Sequence, residues 1–461
     1  MADYDVVVIG AGPGGYVAAI RTAQLGMSTA IIEDDNLGGV CLNWGCIPSK
    51  SLLRNAEVLD IINHADEYGI SVGEVSFDYN KAIDRSRHVV RRLTGGVGAL
   101  LRKNGVEHIS GRATLRDANT ITIEGSERAI TSDNIIIATG ARARQIPGIP
   151  VDGETVLTSR EAIVLREVPS RVVIVGGGAI GVEFADIYHS YGAEVVIVEM
   201  LPRLVPLEDE EISQQLERVF RRRGIEYKTG AMVKSVVVGD DDATVTVADA
   251  DGNESEMECD KVLVAIGVQG NSEDIGLEAA GVNTEHGFIP VDDEMRTNVP
   301  GVYAIGDVTG KLPLAHVASA QGVTAAEAIA GLNPMALDYT LMPRATYCRP
   351  QIASFGLTEQ QAADAGYSFK IGRFPMAASG KALAMGESNG MVKLVVDDEV
   401  GELLGAHMIG PEATELLGEV GLSRLLEGTT TELGWLVHPH PTISETIKEA
   451  ALAVEGEAIH I

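Results

Sequence analysis

The chain opens with a short apolar run, a helical segment and a second apolar run. Val6–Ile9 is continuous and apolar, which is typical of a strand buried on both faces of a sheet. A helical pattern follows from about Tyr16 to Leu25, and the apolar run Thr29–Ile32 ends at Glu33. The pattern predicts a β-α-β unit at the start of the chain.

The same pattern returns 166 residues further along the chain. The strand-like run Val172–Val175 leads into a helical segment that extends to about Tyr191, and a second run, Val195–Val198, ends at Glu199. In both units the terminal acid lies 23 residues after the first glycine of the loop between strand and helix. This indicates a duplicated nucleotide-binding unit rather than the short period of a solenoid.

Three further apolar segments end in glycine and supply later strands. They cover residues 135–140, 262–267 and 302–306. The simplest organisation is one nucleotide-binding domain interrupted by another. The interrupted domain is predicted at residues 1–148 and 268–337, with 268–337 as its central part, and the inserted domain at residues 149–267.

The last part of the chain, residues 338–461, has a different pattern. Met391–Val396 predicts a strand, and the segment from about Glu412 to Glu427 predicts a helix. A proline-rich loop precedes a C-terminal helix that is expected from about Ile443. Because this part contains no phosphate-binding glycine loop, we expect it to be an α+β cap or oligomerisation domain. The predicted fold of the whole chain is therefore α/β, with two Rossmann-like dinucleotide-binding domains, one inserted in the other, and this additional domain.

The charge of the chain narrows the choice of partner. It has 36 Lys and Arg against 66 Asp and Glu, a net charge of −30, which disfavours nucleic acid and an anionic membrane surface as partners. The 45% hydrophobic content excludes a disordered acidic protein. The N-terminal residues lack the positive region of a signal peptide, and no apolar run reaches membrane-spanning length, so we expect a cytoplasmic protein.

Both glycine loops have the G-x-G-x-x-G pattern. In this motif the first glycine makes the turn, the second lets a pyrophosphate approach the backbone, and the third lets helix and strand pack closely. The N–H groups at the helix start then hold the diphosphate without a basic patch. The candidate residues are Gly10, Gly12 and Gly15 in the first loop, Gly176, Gly178 and Gly181 in the second, and Glu33 and Glu199 as ribose-binding acids.

Glu199 also indicates which nucleotide the second unit binds. A carboxylate at this position repels the additional phosphate of NADP, so we expect NAD. Arg203 could hold such a phosphate, but a surface arginine after Pro202 is the simpler interpretation.

Cys41 and Cys46 form a close pair in the segment Cys41-Leu-Asn-Trp-Gly-Cys-Ile-Pro-Ser-Lys50. In a reducing compartment such a pair is more often catalytic or metal-binding than structural. No second cysteine pair or histidine cluster accompanies it, so we expect no metal. A redox disulfide and two unrelated buried cysteines both remain open. Lys50 either stabilises a thiolate or an anionic reduced cofactor, or is a solvated lysine.

His440 and Glu445 form a second candidate pair. Histidine can accept a thiol proton at neutral pH, and a carboxylate can orient its ring. From the spacing alone, a structural histidine is the commoner interpretation.

The segment Gly38-Gly-Val-Cys-Leu-Asn-Trp-Gly-Cys-Ile-Pro-Ser-Lys50 closely resembles the active-site disulfide motif of the pyridine nucleotide–disulfide oxidoreductases. Within that family it is most similar to the enzymes that oxidise dihydrolipoyl groups. The similarity runs from the first strand to the C-terminal helix. It also includes Ala138-Thr-Gly140, Tyr303-Ala-Ile-Gly-Asp307, Leu314-Ala-His316, the stretch 405–415, and His438-Pro-His-Pro-Thr-Ile-Ser-Glu445.

The resemblance implies FAD in the first domain and NAD in the inserted one, with a C-terminal α+β dimerisation domain. Lys50 would lie beside the flavin, paired with Glu183. The other implied FAD contacts are Gly39, Ala113, Thr139, Gly140, Ala141, Asp307, Leu314, Ala315 and His316, and Gly267 would lie near NAD.

The resemblance also distributes the redox roles. Cys46 would lie against the flavin, and Cys41 would exchange with the substrate sulfur. His440 would be the base, oriented by Glu445, and would reach the disulfide of the other subunit. A homodimer with residues 338–461 as its interface is therefore implied, and His438 fits the base pattern less well.

The implied activity is the oxidation of protein-bound dihydrolipoyl groups, or of dihydrolipoamide, with NAD. The expected partner is the lipoyl-bearing acyltransferase of a 2-oxoacid dehydrogenase complex, or the glycine cleavage system. The alternatives are another NAD(P)-linked flavin disulfide reductase and a nonenzymatic NAD-binding subunit. Glu199 disfavours glutathione-type reductases, and retention of the cysteine, histidine and glutamate groups disfavours a nonenzymatic role.

Three positions depart from the usual family pattern. Val40 replaces a common Thr, and Gln321 and Gln351 replace a common Glu. None of them is a thiol, base or loop glycine, so they affect finer features such as flavin potential or subunit contacts. The negative charge has two possible origins: docking of a basic segment of the acyltransferase, or adaptation to a salty cytoplasm, which 11 Lys against 25 Arg suggest.

Overall fold

The computed structural model describes residues 2–461. The first domain contains β1 (Tyr4–Ile9), α1 (Pro13–Gln24), β2 (Thr29–Glu33), α2 (Gly39–Asn43), α3 (Cys46–Asn63), α4 (Tyr79–Lys103), β3 (Glu107–Ser110), β4 (Ala113–Leu115), β5 (Thr120–Ile123), β6 (Ile130–Ile137) and β7 (Ala141–Ala143). The chain returns to it for β16 (Val268–Gly270), α8 (Leu277–Ala280), β17 (Val302–Ala304) and α9 (Ala315–Ile329).

The inserted part and the C-terminal part have sheets of their own. The former contains β8 (Val156–Thr158), α5 (Ser159–Ala162), β9 (Arg171–Val175), α6 (Ala179–Ser190), β10 (Glu194–Glu199), α7 (Glu210–Arg223), β11 (Glu226–Thr229), β12 (Met232–Val238), β13 (Ala243–Ala248), β14 (Glu254–Cys259) and β15 (Lys261–Val264). The latter contains β18 (Arg344–Thr346), β19 (Gln351–Gly356), α10 (Glu359–Asp364), β20 (Phe369–Pro375), α11 (Gly380–Met385), β21 (Met391–Asp397), β22 (Leu403–Gly410), α12 (Ala413–Leu425), α13 (Thr430–Trp435) and α14 (Glu445–Val454).

The two nucleotide-binding units have matching parallel sheets. The first has the order β3-β2-β1-β6-β17, and the second has the order β11-β10-β9-β15-β8. The β-α-β repeat predicted from the sequence is therefore confirmed. Both helices begin directly after the second loop glycine, because Gly12 and Gly178 are their N-caps. The first helix thus starts at Pro13, three residues earlier than the apolar pattern indicated.

Antiparallel sheets complete the fold. β4 and β5 extend the first sheet beside β6, and β12-β13-β14 form a separate sheet in the inserted part. β7 pairs with β16 at the point where the chain leaves and re-enters the first domain. The predicted α+β character of the last part is confirmed by the antiparallel sheet β18-β19-β22-β21-β20 with its helices. The domain boundaries themselves stay a prediction.

The core is aliphatic, as the low aromatic content requires. Alternate residues of β1 face two separate cores: Val7 and Ile9 on one side, Val6 and Val8 on the other. A strand enclosed in this way is continuous in its apolar pattern, which explains the signal at the start of the chain. No helix within residues 2–461 is long and apolar enough to span a membrane.

Candidate active site

The loops that carry the predicted FAD residues lie at one edge of the first sheet. The N–H of Ala138 donates to the Ile9 carbonyl at 2.7 Å, and the N–H of Ile305 donates to the Ile137 carbonyl at 2.9 Å. The loops after β1, β6 and β17 are therefore adjacent. In open α/β sheets the carboxyl edge of the strands is the place where ligands bind.

The first and third glycines of each loop are required by close contacts. Gly10 has φ +100°, and a Cβ there would lie 2.3 Å from the carbonyl oxygen of Ala138. A Cβ at Gly15 would lie 1.9 Å from the Gly10 carbonyl oxygen. The corresponding distances at Gly176 and Gly181 are 2.4 and 2.0 Å, again to carbonyl oxygens. Both loops thus use the glycines of the motif in the same way.

The second glycine of each loop faces open space. Nothing lies within 4 Å of a Cβ at Gly178, and a Cβ at Gly12 would have only the Cα of Gly39 at 4.0 Å. Neither α1 nor α6 has an acidic residue in its first turn. The free N–H groups and the positive helix ends therefore form two cradles that fit the diphosphates of FAD and NAD.

The two predicted ribose acids lie against their own loops. Glu33 accepts a hydrogen bond from the N–H of Ala11 at 2.7 Å, and Glu199 accepts one from the N–H of Gly177 at 2.6 Å. Burial raises the pKa of Glu33, although the N–H donors oppose this effect. Both carboxylates lie at the carboxyl edge of their sheets, beside the cradles.

Asp307 has a partly buried carboxyl group for which the described part of the chain supplies no cation. Burial raises the pKa of Asp307 to about 6. Its loop is held by Gln321, whose Oε1 accepts the N–H of Gly306 at 2.6 Å. A ligand that carries hydroxyl groups would supply the donors that this carboxylate lacks. Together with the glycine cradle, this arrangement fits FAD.

The other predicted cofactor residues surround the same edge. Thr139 and Gly140 follow β6, and Thr139 Oγ1 donates to the Asn271 carbonyl at 2.8 Å. Ala141 begins β7, and Ala113 begins β4, two residues after Gly111, whose N–H donates to the Glu33 carbonyl at 2.9 Å.

The segment Leu314–His316 lies at the start of α9. This helix packs on α1, and the Ser319 hydroxyl is 3.3 Å from the Pro13 carbonyl oxygen. Ala315 begins the helix, and the His316 ring lies 2.8 Å from the Pro343 carbonyl oxygen. In the second unit, Gly267 has φ +101° and follows β15 at the carboxyl edge. The binding roles assigned to all these residues stay predictions.

The cysteines lie on either side of the turn between α2 and α3. Cys41 lies in α2, and Cys46 is the first residue of α3. The adjacent Cys41 thiol, which can donate to a Cys46 thiolate, lowers the pKa of the Cys46 thiol to about 7, and Lys50 contributes in the same direction. The pKa of Cys41 is raised, first by Cys46 and then by burial. Cys46 is therefore the thiolate of the reduced pair.

Lys50 joins two domains through a partly buried ion pair. Its Nζ lies 3.0 Å from both carboxylate oxygens of Glu183 in α6. Burial lowers the pKa of Lys50, but Glu183 outweighs it, and the pKa stays above its ordinary value. The ion pair that the family resemblance implied is thus present. It places a fixed positive charge one helical turn after Cys46.

The sequence reasoning missed Tyr347, which closes this ion pair from the C-terminal domain. Its N–H donates to Glu183 at 2.9 Å, and its ring lies 4.4 Å from Lys50 Nζ. The only indication in the sequence was the position of Tyr347 directly before the segment Cys348-Arg349-Pro350. Asp186, one turn after Glu183, accepts the Arg349 N–H at 2.8 Å and so holds this strand against α6.

His440 and Glu445 form a hydrogen-bonded pair. His440 Nδ1 lies 2.9 Å from Glu445 Oε1, and Glu445 Oε2 accepts the N–H of Thr442 at 2.8 Å. Burial opposes ionisation of Glu445, but these donors hold its pKa below the ordinary value. The His440 side chain is 79% exposed, with its second ring nitrogen free to act as a base. Across residues 2–461, no hydrogen bond joins this pair to Cys41, Cys46 or Lys50.

His438 has a different environment from its neighbour. Its side chain is only 4% exposed, and its Nε2 lies 2.7 Å from Glu419 Oε1 in α12. This burial shows that His438 is not a surface histidine, and its assignment as a residue other than the base stays a prediction. No group of three or more His, Cys, Asp or Glu side chains within residues 2–461 is arranged to hold a metal ion.

The site can therefore perform dithiol–disulfide exchange beside a dinucleotide edge. It has a low-pKa thiol, a second thiol, a fixed cation and two diphosphate cradles. The hydrogen-bonded pair His440 and Glu445 is exposed and has no hydrogen bond to these groups within residues 2–461.

Comparison with known proteins agrees with this geometry. Residues 4–322 match the family model described as pyridine nucleotide–disulphide oxidoreductase, and residues 342–451 match the dimerisation domain of that family. The chain is 51% identical to a dihydrolipoyl dehydrogenase of Mycobacterium leprae over 100% of both chains. It is 46% identical to that of Bacillus subtilis over 99% of both chains.

Solved structures show the same fold. LpdA from Mycobacterium tuberculosis superposes with a TM-score of 0.90 at 28% identity, covering 97% of this chain and 98% of LpdA. The HOCl-induced flavoprotein disulfide reductase RclA from Escherichia coli has a TM-score of 0.87 at 27% identity, covering 98% of this chain and 100% of RclA.

Proposed function

The chain belongs to the pyridine nucleotide–disulphide oxidoreductase family, and we propose that it oxidises dihydrolipoyl groups to lipoyl groups with NAD as acceptor. The observation that carries this proposal is the 46–51% identity, over essentially the whole chain, with dihydrolipoyl dehydrogenases. The disulfide reductase RclA shares the fold at only 27% identity. The same dithiol could serve another disulfide substrate, and the sequence relatives decide between these activities.

The exchange step needs a proton acceptor and an electrophilic sulfur. His440 accepts the proton of one substrate thiol at Nε2, while Glu445 holds the ring through Nδ1 and stabilises its protonated form. The substrate thiolate attacks Cys41 in the oxidised Cys41–Cys46 disulfide, and Cys46 leaves as a thiolate. The second substrate thiol then closes the lipoyl disulfide and releases Cys41. Two electrons have moved from substrate to the cysteine pair.

The low pKa of the Cys46 thiol favours these exchange steps. A better leaving thiolate breaks the disulfide faster, and the Cys46 thiolate lies beside Lys50, which compensates its charge. When bound, FAD would supply the two-electron chemistry that connects the cysteine pair with NAD. The cradles at Gly12 and Gly178 would hold the two nucleotides, and Glu33, Asp307 and Glu199 would accept hydrogen bonds from their hydroxyl groups.

The active form that we propose is a homodimer. The C-terminal domain has many exposed large apolar side chains, among them Leu425, Leu426, Trp435 and Val437, the last 85% exposed. Monomers rarely leave such a surface to water, and the dimerisation-domain match covers it. A twofold interface would bring His440 of one subunit to Cys41 of the other, which accounts for their separation within one chain.

Further parts of the proposal concern location and partners. We assign the protein to the cytoplasm, as the dihydrolipoyl dehydrogenase of a 2-oxoacid dehydrogenase or glycine cleavage complex. Its macromolecular partner would be the lipoyl-bearing acyltransferase.

The test is NADH formation by the purified, FAD-loaded protein with dihydrolipoamide and NAD. We expect turnover in the wild type and none in Cys46→Ser. Cys259→Ser is the matched control, because Cys259 is buried against the Ala243 carbonyl, far along the chain from the pair, and should keep its activity. No turnover by FAD-loaded wild-type dimer would reject the proposed function.

A further inference from the structure

The helix α4 is basic in an otherwise acidic protein. Between Tyr79 and Lys103 it has seven Lys or Arg residues and one Asp, a net charge of +6, while the whole chain carries −30. Nearly all of these cations lie on its exposed side. They are Lys81, Arg85, Arg87, Arg91, Arg92, Arg102 and Lys103.

Most of these positive side chains have no ion-pair partner within residues 2–461. Within residues 2–461, the ion pairs of α4 are Lys81 with Asp78 at 3.7 Å and Asp84 with Arg166 at 2.9 Å. In the described part of the chain, no carboxylate pairs with the group Arg91, Arg92, Arg102 and Lys103, which we name the α4 basic face. Like charges that are crowded on a surface without partners cost folding free energy, so this arrangement needs a reason outside the fold.

The α4 basic face adjoins the redox-active turn. Arg87 donates to the Asn43 carbonyl at 2.7 Å, and its guanidinium lies 5.4 Å from the Trp44 ring, between the two cysteines in sequence. Further along α4, Gly98 lies against Leu37, just before α2. Arg91 is four residues after Arg87 and seven before Gly98, so it is on the same side of the helix. It therefore lies on the side of α4 that contacts the segments on either side of Cys41.

The electrostatics of Arg87 agree with this placement. Burial lowers the pKa of the Arg87 guanidinium, and the like charge of Arg91 acts in the same direction. The positive charges are thus close enough to act on one another beside Trp44. A partner with negative charge would relieve this repulsion.

We infer that the α4 basic face is the docking surface for the protein domain that carries the dihydrolipoyl group, and that this domain presents acidic residues around its lipoyl-lysine. The inference rests on the proposed function, because a dithiol on a protein must be brought to Cys41. A carrier domain with an acidic face is repelled by most of the acidic surface of this protein and attracted by the α4 basic face. Electrostatic steering of this kind acts on association rate and specificity.

The test compares a protein-bound substrate with a free one. The probes are a recombinant lipoyl domain in the dihydrolipoyl form and free dihydrolipoamide, each assayed by NADH formation. For the Arg91→Glu/Arg92→Glu holoenzyme at low ionic strength, we expect kcat/KM for the lipoyl domain to fall roughly tenfold or more. The value for free dihydrolipoamide should stay within about twofold of the wild type. In the wild type, added salt should lower the lipoyl-domain value and leave the free-substrate value nearly constant.

The control variant makes one Arg-to-Glu replacement on another helix, which is half of the charge change in the double variant. Arg218 in α7 is exposed and has no ion pair within residues 2–461, so Arg218→Glu should leave both substrates unaffected. An equal loss with both substrates, an equal loss in Arg218→Glu, or an unchanged lipoyl-domain value would overturn the inference. So would dissociation into monomers in light scattering, which would make α4 a subunit contact. If the double variant does not fold, Arg91→Gln and the wild-type salt series give the same decision. No turnover of either substrate by the wild type would instead reject the proposed function.

Discussion

Replacing Lys50 by Met tests how the chain sets the reactivity of Cys46. Lys50 lies four residues after Cys46 in α3, so the two side chains share one face of the helix. Its ammonium group lowers the pKa of the Cys46 thiol, although the Cys41 thiol has the larger effect. Methionine keeps most of the side-chain volume and removes the charge. We expect the pKa of Cys46 to rise while the interaction with Cys41 persists.

The size of the effect follows from the separation. Side chains four apart on a helix are about 6 Å from each other. At an effective dielectric constant of about 20, two unit charges at that distance interact by about 2.8 kcal/mol, or roughly two pKa units. The Lys50 side chain is 33% exposed, so solvent screening reduces this value, and we expect about one unit. The pKa would then move from about 7 to about 8.

The assay is the pH dependence of iodoacetamide alkylation of the reduced protein, with Cys46 identified by peptide mapping. At pH 7 a rise from 7 to about 8 lowers the thiolate fraction from about one half to about one tenth, so the alkylation rate should fall roughly fivefold. Lys50→Arg should keep the wild-type profile, and Lys81→Met, at the exposed start of α4, serves as the matched control. An unchanged profile in Lys50→Met would refute the electrostatic role of Lys50.

Three further predictions concern other parts of the chain. Gly178→Val should fold and bind FAD, because nothing lies within 4 Å of a Cβ at this position. It should lose NAD affinity, measured by titration, because the added side chain fills the open cradle. Gly181→Ala should misfold, because its Cβ would lie 2.0 Å from a carbonyl oxygen. His440→Gln should lower dihydrolipoamide oxidation by about 10²–10⁴-fold and leave reduction of bound FAD by NADH intact, as stopped-flow absorbance would show. Lys393→Met should cost about 3 kcal/mol in urea unfolding, because Lys393 is 2% exposed and its loss strands Asp209. Burial raises the pKa of Asp209 but Lys393 lowers it below 3.8, so the wild-type contribution should be present above pH 3.8 and lost as the pH falls further.

The parallel sheets were the most predictable part of the fold. A strand such as β1, which is enclosed by two cores, must be apolar at every position, and the glycine loop that follows has a fixed chemical reason. Both signals are local in sequence, so they needed no tertiary information. The same holds for Cys41, Cys46 and the two ribose acids.

The parts that were missed depend on contacts between distant segments. The helix α4 is the exception, because the apolar face of its 25 residues is a local pattern that the sequence prediction missed. Tyr347 could not be connected with Lys50 from spacing, since 297 residues separate them and the strand register of the C-terminal sheet decides where its ring lies. The β7–β16 ribbon is also formed by distant segments.

The Lys50–Glu183 pair shows what a resemblance adds. Nothing in the spacing of residues 50 and 183 indicates contact, and only the family pattern suggested it. The structure places the pair at 3.0 Å. His440 is exposed and, within residues 2–461, has no hydrogen bond to the cysteines. This is the physical reason to expect that a second subunit brings the histidine and the cysteines together.

Complementation between two inactive variants tests the central claim most directly. Cys46→Ser and His440→Gln subunits with different affinity tags are co-expressed, and NADH formation from dihydrolipoamide is measured on the FAD-loaded mixture and on the isolated mixed dimers. If each site combines Cys46 of one subunit with His440 of the other, each mixed dimer has one intact site. The account predicts negligible turnover for each variant alone, about half of the wild-type rate for mixed dimers and about a quarter for a random mixture. Mixed dimers as inactive as their parents, or full activity in either parent, would contradict it.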